Sequence, residues 1–161
     1  MKTRSIDELL HDHPFFAGMP PEWLALIAGC GRNVVYPPGA TIAREGEEAD
    51  EFFAVRRGKV AIEIFVPGKG SLSIQTLGDD AILGWSWILP PHRWMFDLRA
   101  VETTHAVRFD TTCLRTKCDE SPAMGYEFMK RFAAVVSDRL NATRLQLLDV
   151  YGGKRHEAGG S

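Results

Sequence analysis

The chain has 161 residues, 45% of them hydrophobic and 25% charged, with a formal charge of −2, which suits one soluble domain with a single substantial core. The charge balance leaves no electrostatic footprint for nucleic acid, no apolar run approaches the roughly 20 residues of a membrane span, and no apolar signal segment follows Lys2 and Arg4. Three cysteines (Cys30, Cys113 and Cys118) lack the short-pair spacing of a metal site and read as cytosolic thiols rather than a disulfide framework, so a cytoplasmic location is expected.

Residues 5–31 predict two helical pieces. Leu9 and Leu10 close the first, which breaks at His13-Pro14. Pro20-Pro21-Glu22 opens the second, with Trp23, Leu24, Ile27 and Ala28 at helical spacing and Gly29 and Gly31 at its end. From residue 32 the period changes to two. Segments 34–36, 41–45, 51–57, 59–66 and 71–77 end at Pro37-Pro38-Gly39, Gly46, Gly58, Pro67-Gly68-Lys69-Gly70 and Gly78. Val60, Ile62, Ile64 and Val66 share one face, Leu72 and Ile74 another. Short strands with turn signals every eight to twelve residues or so predict an antiparallel roll or barrel.

Residues 77–109 organise the rest. Gly78 and Gly84 punctuate a turn leading into Trp85-Ser86-Trp87-Ile88-Leu89, which Pro90-Pro91 stops. A segment this short packs little core. As a helical turn, however, it offers backbone N–H groups to an anion, with Ser86 adding a hydroxyl. Trp85, Trp87 and Trp94 make any pocket wall here aromatic; alternatively they simply close the open end of the roll. Arg93 is the nearest charge suited to a phosphate, although an arginine beside two prolines is ordinarily solvated. Arg99 lies between Leu98 and Ala100 and should face away from them. Two more strands follow, over 97–103 and 105–109.

Asp110 is placed to cap a short helix. Ser121-Pro122 then starts the longest helix, without a breaker until Gly152-Gly153. Met129, Phe132, Val136, Leu140, Leu147 and Val150 form an apolar stripe along it. A helix of about 30 residues spans about 45 Å, longer than one small roll covers, so a homodimer through residues 121–151 is expected. The alternative is burial of the stripe against the chain's own sheet. The whole reads as α+β. N-terminal helices (1–31) and C-terminal helices (110–151) flank an antiparallel double-stranded, jelly-roll-like β-roll (32–109). Domain 1–151 is followed by a polar, glycine-rich segment, 152–161, expected to be a disordered tail.

These residues resemble the cyclic-nucleotide-binding domain family, the sensor half of catabolite-activator-type regulators. Its phosphate-binding cassette runs Leu-Gly-x-Gly-x-x-x-Gly-Glu-Leu-Ala, a short spacer, then Arg-Ser/Thr-Ala-x-Val-x-Ala. Leu77, Gly78, Gly84 and Ala100 match it. Asp80 stands at the second glycine, Trp85 at the glutamate that holds the ribose hydroxyl, and Trp94 at the phosphate-binding arginine. The resemblance implies an eight-stranded roll and a ligand site built from Gly84, Trp85, Ser86, Trp87, Arg93 and Trp94. Arg139-Leu140-Asn141-Ala142-Thr143 resembles the family's Arg-Leu-x-x-Thr pattern, which puts Thr143 against a base and Arg144 within reach of it. Read from the residues alone, Thr143 is a seam residue and Arg144 a surface charge. The family's regulators carry a winged helix-turn-helix after the long helix, for which residues 152–161 leave no room, so no direct DNA binding is expected.

Nothing points to catalysis or a metal. Ser86 has no nearby base, no paired-carboxylate or Walker-type signature occurs, and His92 and His105 stand without a ligand set. Two functions remain. One is a stand-alone dimeric sensor that binds a nucleotide or other small anion and signals through its long helix to a partner. The other is a ligand-free interaction module whose pocket is filled by tryptophans.

Overall fold

The first helix, α1 (Ile6–Asp12), begins where Ser5 donates its backbone N–H to Glu8 Oε2 at 3.3 Å. The second, α2 (Pro21–Ala28), starts on a proline whose missing N–H costs nothing at that position. The computed structural model describes residues 4–157. After α2 come β1 (Gly31–Tyr36), β2 (Thr41–Ala43), β3 (Glu51–Arg57), β4 (Val60–Val66), β5 (Gly70–Leu77), β6 (Ile82–Leu83), β7 (Asp97–Ala100) and β8 (Thr104–Asp110). Helices α3 (Thr111–Glu120) and α4 (Pro122–Glu157) follow. The strands form two antiparallel four-stranded sheets, ordered β1-β8-β3-β6 and β2-β7-β4-β5. The chain divides into two compact units, Met1–Gly125 and Tyr126–Ser161.

The roll interior is filled by Phe53, Val55, Val60, Ile62, Leu83, Trp94, Leu98 and Ala106, among others. On the opposite face of β3, Phe52 stacks on Phe109 at 4.6 Å, and Phe109 meets Phe16 at 5.6 Å. Phe52, Phe53, Ala54 and Val55 are therefore all buried, with a packed layer on each side of the strand. The expected alternation in β4 holds only in part. Val60 and Ile62 are buried, but a register shift between Ile62 and Glu63 interrupts it, and Ile64 and Val66 are half-buried. Strand β6, which sequence reading missed, pairs Leu83 with Phe53 and Ile82 with Ala54.

His13 ties the N-terminal segment to β3. Its Nδ1 accepts from Phe15 N–H at 3.2 Å, so Nε2 carries the proton and donates to the Val55 carbonyl at 3.0 Å. Burial pushes its pKa down, opposed by that bond and by the Asp80 charge.

Asp110 caps α3 as expected, accepting from Thr112 N–H at 2.9 Å and Cys113 N–H at 3.2 Å. The cysteines correct the sequence reading, because Cys30 and Cys113 form a disulfide with their Cα atoms 5.6 Å apart. The ladder between β1 and β8 pairs Gly31 with Phe109, and Asp110 N–H donates to the Cys30 carbonyl at 2.9 Å. This long-range pairing brings together cysteines 83 residues apart, a distance at which spacing carries no signal. Cys118 is a free thiol, its pKa raised by burial.

Helix α4 also departs from expectation. It runs through Gly152 and Gly153 to Glu157, so the tail expected over 152–161 is helical to that point, and residues 158–161 lie outside those described. A glycine inside a helix costs only about 1 kcal/mol, which slows propagation without ending it. Within the second unit Phe128 and Phe132 are buried, with ring centroids 5.4 Å apart. Beyond them Leu140 is 49% exposed, Leu147 52% and Val150 58%. Among the described residues, no helix is long and apolar enough to cross a membrane.

Candidate cyclic-nucleotide cassette

Strand β6 delivers the chain to Gly84, whose φ of +97° few residues with a side chain adopt. A Cβ at Gly84 would lie 2.5 Å from Trp94 Cη2, so the Trp94 indole rests directly on this glycine. Trp94 is 5% exposed and packs against Phe53 (centroids 6.4 Å apart) and Phe96 (6.2 Å) in the roll interior. Trp85 is half-buried, edge-on to Phe96 at 6.4 Å. Ser86 is half-buried beside it.

Trp87 points the other way. It is 2% exposed and stacks on Phe52 at 5.8 Å, on the helix side of β3. From α3, Arg115 lies over the Trp87 ring, 5.8 Å from its centroid, and donates a hydrogen bond to the Trp87 carbonyl. Nothing in the sequence flagged Arg115, because a surface arginine on a short helix carries no pattern. The three tryptophans thus fall into two surroundings, Trp85 and Trp94 meeting at Phe96 and Trp87 lying on the other side of β3.

The segment after Gly84 forms one hydrogen-bonded turn, Ile88 N–H to Trp85 carbonyl at 3.1 Å, and no α-helix. The expected anion seat therefore lacks a helix N-terminus and the dipole that a helix would add. The cassette tip is bound to the loop between β2 and β3. Gly46 N–H donates to Trp94 carbonyl at 2.8 Å, Trp94 N–H to Glu47 carbonyl at 2.9 Å, and Ala49 N–H to His92 carbonyl at 2.8 Å. Arg93 is exposed and donates through Nη1 to the Gly46 carbonyl at 3.1 Å.

Arg99 faces outward, as its position between buried Leu98 and Ala100 requires, and forms a two-pronged ion pair with Glu63 at 2.7 and 3.3 Å. Thr143 and Arg144 are exposed on α4 within the second unit, where Thr143 Oγ1 donates back to the Arg139 carbonyl at 3.0 Å. That bond satisfies the hydroxyl inside its own helix.

The family's ligand makes two demands on this site, a carboxylate for the ribose and an inward guanidinium for the cyclic phosphate. Trp85 and Trp94 hold those positions, and Arg93 is exposed, with one of its donors on a loop carbonyl. The residues present do not fit a cyclic nucleotide held in the family's manner.

Comparison with known proteins agrees with the scaffold. The cyclic nucleotide-binding domain family model matches residues 33–121. A CRP-like cAMP-activated global transcriptional regulator of Mycobacterium tuberculosis is 25% identical over 145 residues, covering 90% of this chain. The chain spans 63% of that relative's length. A crystal structure of a cyclic nucleotide-binding domain from Methylobacillus flagellatus superposes with a TM-score of 0.77 at 18% identity, covering 90% of this chain and 82% of that one. A putative cyclic nucleotide-binding protein from Geobacter metallireducens gives 0.73 at 26% identity, covering 86% and 99%. The first of these relatives is named as a regulator activated by cyclic AMP, and the other two for cyclic-nucleotide binding. From residue 33 to residue 121, this chain belongs to the cyclic nucleotide-binding domain family.

Proposed function

We propose that this chain is a regulatory module that keeps the family's β-roll but works through protein contacts, its cassette closed by tryptophans. The observation that supports this reading is Trp94 seated on Gly84 inside the roll, where the family places its arginine. The sequence also allowed a dimeric sensor of a nucleotide or small anion, and that reading lacks an inward charge. The module works as a homodimer through α4, supported by the exposed apolar residues Leu140, Leu147 and Val150, and signals through that helix to a protein partner. It resides in the cytoplasm.

Cyclic AMP and cyclic GMP titrations, followed by tryptophan emission and calorimetry, test the closed cassette. Each missing charge-assisted contact removes about 1.5–3 kcal/mol. A site that would be micromolar should therefore weaken by a factor of hundreds or more. Saturation at low micromolar concentration, abolished by Arg93→Ala, would show the site rebuilt around Arg93 and overturn the proposal. Light scattering should report twice the 18.0 kDa chain mass, and Leu140→Asp should return the protein to monomer by placing an unpaired charge in the seam.

A further inference from the structure

The disulfide joins two places that matter to the cassette. Cys30 closes the segment ahead of β1, and Cys113 sits in the first turn of α3. Of the ten residues of α3, only Thr111 and Leu114 are buried. Its other anchors are the Asp110 cap, Asp110 N–H on the Cys30 carbonyl at 2.9 Å and Thr111 N–H on the Asp50 carbonyl at 3.0 Å. A helix this short is marginal in water without tertiary support, so the covalent link is a principal tether. Two residues after Cys113, Arg115 reaches across to cover the Trp87 ring and bind its carbonyl. An unbroken path of contacts therefore runs from the disulfide through α3 to the cassette.

We infer that Cys30–Cys113 is a redox switch whose state sets how firmly α3, through Arg115, holds the cassette. Disulfides in reducing compartments are ordinarily transient and regulatory, so the cytoplasmic location proposed above favours a bond that is made and broken in use. The reductant is a dithiol. Cys113 is half-buried and Cys30 only 7% exposed, so the dithiol's thiolate attacks Cys113 Sγ and Cys30 leaves as the thiolate and is protonated. The second thiol then releases Cys113. Two electrons and two protons pass to the protein, and the dithiol departs as a disulfide. Reduction frees α3 and loosens residues 85–89. Oxidation by a disulfide reverses the step.

The test uses the full chain purified without reductant. Denatured samples should show one titratable thiol, Cys118, and three after dithiothreitol. Hydrogen exchange should then quicken about tenfold on reduction in both residues 111–120 and residues 85–89, as in a local opening of about 1.4 kcal/mol. Cys113→Ser should show the reduced pattern without reductant, and Cys118→Ser should leave the response unchanged. In Arg115→Ala, reduction should still quicken 111–120 while the redox difference at 85–89 disappears. Three thiols persisting after treatment with oxidised glutathione would overturn the inference. So would exchange at 85–89 that is identical in the two redox states of the unmutated chain. The inference rests on the cytoplasmic location proposed above, but neither result depends on whether cyclic nucleotides bind or the chain dimerises, so it fails separately from those parts of the proposed function.

Discussion

Strands β3 and β5 are of similar length and both carry apolar residues, yet they live in different environments. In β3, Phe52 to Val55 are buried on both faces, between the roll interior and the helix layer. In β5, an edge strand of the other sheet, Leu72 and Ile74 are each 41% exposed. The unbroken apolar run Phe-Phe-Ala-Val marks a strand packed between two layers. Regular alternation shows only that a strand has two faces, not that either is covered.

Mutation can sharpen that contrast. Phe53→Ala should have the largest effect, about 3–5 kcal/mol of lost stability in urea, because Phe53 fills the interior beside Trp94. A cost below about 1 kcal/mol would mean that β3 is not the packed wall described. Gly84→Ala should cost more than about 1 kcal/mol through its positive φ and its collision with Trp94. The cost should shrink in a Trp94→Ala background by about 0.5–3 kcal/mol, the range for residues in contact. Strict additivity would separate the two residues.

A smaller effect concerns the join between β3 and the N-terminal segment. Folding lowers the pKa of His13 below its unfolded value of about 6.5, chiefly through burial. The unfolded chain then binds more protons in the window below that value, so this part of the stability is whole above about pH 6.5 and declines as pH falls. Urea midpoints should drop between pH 7.5 and pH 5.5, and by less in His13→Gln. An equal drop in both would remove His13 from the account. The smallest effect belongs to β5, where Leu72→Ser should change stability by no more than about 0.5 kcal/mol.

Much of the scaffold was legible in the sequence, because its signals are local. Proline and glycine bound the segments, Asp110 announces its helix cap, and Gly84 with Ala100 frames the cassette. What escaped depends on contacts between distant residues. Ile82-Leu83 is too short to show a period and becomes a strand only by pairing with β3. The disulfide follows from the register of β1 against β8. Substitution of the family's charges by Trp85 and Trp94 was visible at once. That Trp94 turns inward onto a glycine while Trp87 turns to the opposite layer is a matter of packing, which no spacing encodes.

The junction between residues 46–49 and 92–94 rests on three hydrogen bonds between main-chain atoms, with Arg93 Nη1 on the Gly46 carbonyl as a fourth. The three main-chain bonds ask nothing of the side chains at Glu47 and Glu48, whereas Gly46 and His92 hold positive φ and Ala49 and Trp94 are buried. Glu47 and Glu48 could therefore be exchanged over many generations without undoing it, while His92, at φ +56°, is confined to the few residues that tolerate that conformation. At those two glutamates the surface chemistry of the molecule is free to drift while its backbone stays put.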